Sequence, residues 1–379
     1  MKKSTENTGN GIKKPIYPKE MVHRARMSLS MCLVVLLCVS MDAFAQEADG
    51  TKELSKVSAK VKVSLGYDNN VLDRKENKLD SRFLQIYINS DVSMLPTGRT
   101  LLSLRLQDGI KYLDAPSLSG ESVLINDLNF CIAHKVTDRF IPEALGGVRG
   151  RTSIHSKSGV SPSEEAYLRG FAGLALKAVV NADLTGRVFC NYNITNFEDF
   201  DPFDRRGPEI GLRADLRLLP GSTTGVQYSR GKARFDRWNE GKASRTDTAD
   251  DVSLCVQFYR HLLLDFSCSY ERNRSDVSEY SYSGSKFTLL LAKSLPWEIM
   301  LQLYALVRSR GNHSNSDGSA ATQEDLEDEE RGMLTVKVSR DISEHCTLEA
   351  QYDLRRNRLK KEDRLYTKNV FLFSLALNF

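Results

Sequence analysis

From residue 57 onward, large apolar side chains recur at every second position, in short runs broken by polar or glycine- and proline-containing segments. The first run sets Val57, Ala59, Val61, Val63, Leu65 and Tyr67 against Ser58, Lys60, Lys62, Ser64 and Gly66. Period two predicts a strand with one apolar and one polar face. Further runs fall at 84–94, 102–112, 124–132, 143–154, 168–176, 184–194, 210–218, 224–228, 252–258, 262–270, 287–291, 297–307, 334–338, 346–354 and 371–379. The run at 143–154 is the weakest and is rich in glycine. The pattern predicts an all-β chain of about sixteen strands in hairpin succession.

The breaks alternate in length. Those near 96–99, 137–141, 181–183, 219–222, 259–261, 293–296 and 340–345 are short. Those near 68–81, 113–122, 155–166, 197–207, 232–249, 272–282, 308–331 and 356–366 are longer and polar. Short turns on one side and long loops on the other, with one strand face apolar throughout, predict a transmembrane, antiparallel, up-and-down β-barrel. A soluble β-repeat such as a propeller is the alternative, but its inner strands would bury both faces.

Tyrosines mark the long-loop ends of the strands at Tyr67, Tyr112, Tyr192, Tyr228, Tyr270 and Tyr352. Their spacing gives a repeat of roughly 40 residues, one hairpin with its loop. A ring with a polar tip suits the membrane interface, so these residues and Phe379 are read as an aromatic girdle.

The final run alternates Phe371, Phe373, Leu375, Leu377 and Phe379 with Leu372, Ser374, Ala376 and Asn378. It resembles the C-terminal assembly signal of bacterial outer-membrane barrels, a terminal aromatic preceded by alternating apolar residues. That resemblance implies recognition by the barrel-assembly machinery through this strand. The stretch Gly66-Tyr-Asp-Asn-Asn-Val71 resembles the first strand of porin-like barrels in exopolysaccharide-export and surface-lipoprotein-assembly families. So do Tyr270-Glu-Arg-Asn-Arg-Ser275 and Tyr352-Asp-Leu-Arg-Arg-Asn-Arg358. Several of those families carry a periplasmic helical-repeat domain before the barrel, and only about a dozen residues stand there in this sequence.

Residues 1–45 read as a cleaved signal peptide. A basic lead containing Lys13, Lys14, Lys19, Arg24 and Arg26 precedes a short apolar core, Met31–Val39, and then Ala43-Phe44-Ala45. Residues 46–56 follow as a short periplasmic segment, and 57–379 as the barrel. The 379-residue chain carries a formal charge of +4. Taking away the signal removes seven Lys/Arg and three Asp/Glu and leaves the two signs balanced. That balance argues against a nucleic-acid partner. Five cysteines remain, at 131, 190, 255, 268 and 346. They make no disulfide framework and no metal or heme motif. The parity of the runs turns Cys190, Cys268 and Cys346 outward, and Cys131 and Cys255 inward and far apart.

No catalytic constellation stands out: His134, His155, His261, His313 and His345 are scattered over turns and loops. No cofactor and no metal site is expected. About sixteen strands enclose more space than side chains fill, so the interior should hold water. Its wall is predicted to include Lys60, Lys62, Arg105, Lys111, Arg169, Arg187, Arg213, Arg217, Glu298, Glu349 and Asp353. Both signs occur, which predicts weak ion selectivity. The loop Phe197-Glu-Asp199-Phe200-Asp201-Pro-Phe203-Asp-Arg205-Arg206 mixes rings with charge and is a candidate constriction. The acidic run Glu324–Glu330 is a candidate for divalent cations bridging lipopolysaccharide. The expectation is a non-enzymatic channel of the bacterial outer membrane for passive diffusion of small hydrophilic solutes or ions, in contact with lipid and lipopolysaccharide. The alternative is a barrel that sheathes or anchors an envelope-complex partner in exopolysaccharide export, surface assembly or electron conduction. A soluble β-rich periplasmic protein is the third reading.

Overall fold

The computed structural model describes residues 55–71, 78–114, 122–154, 166–197, 204–238, 243–312, 332–358 and 365–379. These residues form sixteen strands. They are β1 (Ser55–Asp68), β2 (Ser81–Met94), β3 (Thr100–Asp114), β4 (Ser122–His134), β5 (Phe140–Ile154), β6 (Tyr167–Val179), β7 (Leu184–Phe197) and β8 (Arg205–Leu216). The second half comprises β9 (Ser222–Trp238), β10 (Ala243–Tyr259), β11 (Leu263–Ser275), β12 (Tyr282–Leu295), β13 (Ile299–Asn312), β14 (Gly332–Ser343), β15 (Cys346–Arg358) and β16 (Leu365–Asn378). Each strand pairs antiparallel with its sequence neighbours, and β1 pairs with β16, so the sheet is a closed barrel. Closure leaves no sheet edge to be satisfied in lipid.

The seam is in register over Lys60–Asp68 against Asn378–Val370. The backbones of Ala59 and Phe379 exchange hydrogen bonds of 3.1 and 2.8 Å, which brings the terminal aromatic into the ladder. Strand parity separates two environments sharply at this seam. Leu65 is 64% exposed and Phe373 59%, whereas inward Ser64 is 1% exposed and Ala376 is fully buried. In a soluble sheet those values would be reversed, so the apolar face looks out of the cylinder and the polar face looks in.

The short turns close by local chemistry. Asn181 Oδ1 accepts from the backbone N–H groups of Asp183 and Leu184 at 2.9 and 2.8 Å. Thr137 Oγ1 does the same for Arg139 and Phe140. Both are side-chain mimics of a turn hydrogen bond. Gly221 adopts φ 78, and a Cβ there would stand 2.3 Å from the Tyr259 carbonyl oxygen.

Glycines on the wall receive rings from the adjacent strand. Phe83 pairs with Gly66, Tyr87 with Gly109 and Phe189 with Gly211 on the inner face, and Phe130 with Gly146 on the outer. In each pair the ring occupies the space a side chain would take. Phe83 also joins a small buried core with Val71, Leu113 and Val370, against which Leu79 and Leu372 pack. That core lies on the lumen side, at the long-loop ends of β1, β2, β3 and β16.

Several sequence expectations need correction. Trp297 and Glu298 do not start β13. Pro296 lacks the N–H a ladder needs, and with the left-handed residues Trp297 (φ 63) and Glu298 (φ 59) it forms a turn that closes the Leu295–Ile299 pair. β8 ends at Leu216, so Arg217 and Leu218 belong to the turn. The segment read as a loop at 232–249 is mostly strand, because β9 and β10 run on to Trp238 and from Ala243. The weak run near 143–154 is a full strand of fifteen residues, Phe140–Ile154.

Candidate channel lumen

The wall is a set of inward side chains positioned by parity, and several of its charges pair across an intervening strand. On the seam side, Lys60 and Lys62 of β1, which face Asn378 and Ala376 of β16, extend over that strand and reach Glu349 of β15, which faces Ser374. Their Nζ atoms lie 3.1 and 2.6 Å from the two carboxylate oxygens, and Lys337 of β14 adds a third contact at 3.0 Å. Arg308 of β13, which faces Lys286 of β12, reaches diagonally to Glu271 of β11 at 3.2 Å, where β12 presents Gly284. Arg187 of β7, which faces Lys177 of β6, likewise reaches diagonally to Glu143 of β5 at 2.8 Å, where β6 presents Ala175.

Other expected wall residues are placed as follows. Lys111 faces the buried Asp68 carboxylate at 3.8 Å, beside Lys368 at 3.1 Å, and stands 4.2 Å above the Phe83 ring. Arg105 pairs with Asp91 at 2.6 Å on an exposed stretch. Arg213 pairs with Asp215 at 2.8 Å. Asp353 accepts from Thr335 and Gln351, with Arg355 at 3.7 Å. Arg169 faces inward on β6, beside the Tyr167 ring. Arg217 and Glu298 lie on short turns at the rim, outside the wall, for the reasons given above.

The sequence pattern does not single out Lys337, Lys368, Asp251 or Glu271 as wall residues, and it puts Asp68 and Asp247 in loops; on their strands all of these, with Glu209, turn inward. The motif Gly66–Val71 explains Asp68: its Oδ1 caps the Asn70 N–H at 3.0 Å, and Asn69 Oδ1 accepts from the Asn369 N–H at 2.7 Å. This tucks the start of the first loop against β16.

A cavity of about 500 Å³ is carved into the wall between β6 and β13. Glu209, Asp247, Asp251 and Glu271 line it together with Arg169, Arg205, Arg206 and Arg308, so its charges are near balance. Amides and a phenol complete it. Asn193 Nδ2 donates to Glu209 at 3.3 Å, Asn273 Nδ2 to Asp247 at 3.2 Å, and Tyr282 Oη to Glu271 at 2.6 Å. Such a surface offers donors and acceptors in turn to a hydrated solute.

Arg245 is 2% exposed, its guanidinium lies 3.8 Å from the centre of the Phe235 ring and 4.1 Å from that of Tyr280, and it pairs with Asp247 at 3.1 Å. This stack ties the tall β9–β10 hairpin to the turn after β11.

In the candidate constriction, Phe197 ends β7 and is buried beside Tyr167, its N–H held by Asp204 at 2.7 Å. Arg205 and Arg206 line the cavity. Asp199, Phe200, Asp201 and Phe203 lie outside the described residues, as do Glu324–Glu330, His155 and His313. Among the described residues no group of three or more His, Cys, Asp or Glu side chains is placed to hold a metal ion. The cysteines at 131, 190, 255, 268 and 346 are free thiols.

On the outer face three of the tyrosines expected to form a girdle turn their hydroxyls to polar partners. Tyr228 bonds to Asp250 at 2.9 Å, Tyr67 to Asp80 at 3.3 Å and Tyr352 to Asn369 at 2.7 Å. Tyr67 and Tyr352 both pair with Phe371, making a three-ring row across the seam. Tyr112, Tyr192 and Tyr270 are also exposed, and Phe379 is 69% exposed.

No protein-family profile matches the chain, and no curated protein does. Solved barrels are similar in structure. OmpF of Salmonella typhi, solved with daunomycin, aligns at a TM-score of 0.48 and 10% identity, over 86% of this chain and 97% of that one. OccAB3 of Acinetobacter baumannii aligns at 0.45 and 8%, over 86% and 99%. CdiB of Acinetobacter baumannii aligns at 0.44 and 11%, over 85% of this chain, which spans 60% of CdiB. The assignment of the fold rests on the strand ladder itself, and by that ladder the described residues form a closed, antiparallel, sixteen-stranded barrel.

Proposed function

We propose that the barrel is a channel of the bacterial outer membrane through which small hydrophilic solutes or ions diffuse passively. The carrying observation is the inversion of polarity around a closed sixteen-strand wall, apolar outside and charged within. A soluble protein has no use for that arrangement, and a membrane cylinder requires it. The polar cavity between β6 and β13 supports the reading, because its mixed donors and acceptors replace water around a passing solute without one dominant trap. The protein needs no chemistry of its own for this. Solutes move down their gradient, and the wall sets only the size and charge that pass.

The test is planar-bilayer recording from the purified, folded protein. Discrete conductance steps are expected. A protein that shows heat-modifiable gel mobility, and so is folded, yet gives no steps would overturn the channel reading in favour of a sheath or anchor for a partner.

A further inference from the structure

We propose that the lysine cluster around Glu349 makes the lumen prefer small oxyanions, those bearing phosphate, sulfate or carboxylate groups. This rests on the channel reading above. Lys60, Lys62 and Lys337 all bond one carboxylate, so three positive charges meet a single negative one. Exposure sharpens the imbalance. The Glu349 side chain is 2% exposed, whereas those of Lys60, Lys62 and Lys337 are 34%, 20% and 22% exposed. A solute at this wall therefore meets ammonium groups, and the carboxylate beneath them is hidden.

The opposite wall does not cancel the excess. Its cavity holds acids and arginines in near balance, and the acid Glu271 is met by Arg308 at 3.2 Å. Fixed charge of one sign on a low-dielectric wall concentrates counter-ions beside it. Each ammonium has three N–H donors and spends one on Glu349, so donors remain for the oxygens of an anion. Beneath the cluster Ser374 is 2% exposed and Ala376 fully buried, so the long side chains lie over them close to the wall.

The experiment is a reversal-potential measurement across a potassium chloride gradient, followed by addition of inorganic phosphate. The wild-type channel is expected to pass chloride over potassium by a factor of about two or more, and phosphate is expected to reduce the chloride current. In the double variant Lys60→Gln/Lys337→Gln only Lys62 and Glu349 remain as a neutral pair. Its ratio is expected to fall to about one, with the phosphate effect lost. The charge-keeping pair Lys60→Arg/Lys337→Arg is expected to retain the preference, and gel mobility checks that each variant is folded. Potassium preference in the wild type overturns the proposal while leaving the channel intact, and so does an unchanged ratio in the Gln variant. Absence of conductance steps overturns both.

Discussion

Lys62 and Glu349 stand 287 residues apart in the chain and 2.6 Å apart in the barrel. Neither strand is the other's neighbour. The contact exists because β16, which lies between β1 and β15, turns only serine and alanine inward at that level. The ion cluster thus spans the closing seam and adds side-chain attraction to the backbone ladder there.

Replacing Glu349 with alanine leaves three ammonium groups facing one another at the seam. Their partial exposure to lumen water softens the repulsion, so a loss of about 1–3 kcal/mol is expected, below the cost for a fully buried pair. Equilibrium unfolding in urea from lipid vesicles measures it. Lys337→Gln should cost less than Glu349→Ala, because two lysines still hold the carboxylate.

Gly66 is expected to reject a side chain. A Cβ there would stand 2.2 Å from the Phe83 ring, and that ring is confined by Val71, Leu113 and Val370. Gly66→Val should destabilise the barrel by roughly 1–3 kcal/mol through overpacking. The double variant Gly66→Val/Phe83→Ala should recover part of the loss, and the same unfolding assay reads both.

The inside-out polarity predicts opposite outcomes at adjacent positions. Val226 faces outward and is half exposed, and Gln227 lines the cavity. Val226→Arg places a cation in hydrocarbon and should cost about 2–4 kcal/mol, whereas Gln227→Arg should cost no more than about 1. Equal costs at the two sites would show that the outer face does not meet lipid.

Arg245 should behave as a structural pin. Arg245→Ala removes the guanidinium from between Phe235 and Tyr280 and leaves Asp247 short of its cation. Faster hydrogen exchange is expected in the upper β9–β10 hairpin, with the ladder near Tyr228 and Val252 unaffected. Arg245→Lys should rescue little, because a compact ammonium does not stack as a planar group does.

Much of this architecture was legible in the alternation itself. A strand with lipid on one side and water on the other writes its period directly into the sequence, so the strands and the turn-and-loop alternation could be read without alignment. The pattern failed where the environment is uniform. Above the membrane both faces of a strand are wet, and Arg230, Lys232 and Arg234 on the outward face of β9 gave no apolar signal although the ladder continues past them. The site was legible only as parity: inward residues could be named, but their partners could not. Nothing local says that Lys60 and Lys62 meet Glu349, since that depends on how long side chains cross a strand of small ones.

The β1–β16 seam is the one join among the described strands that no hairpin makes for free. Every other pairing is brought about by a connection of the chain, whereas this one must be found by diffusion of two distant ends. The lysines of the first strand meet Glu349 only when β16 lies between β1 and β15. A cylinder stopped one strand short therefore keeps unspent cations along its open margin. Completing the circle discharges that tension, so the final step is favoured by attraction that no partly built sheet can enjoy.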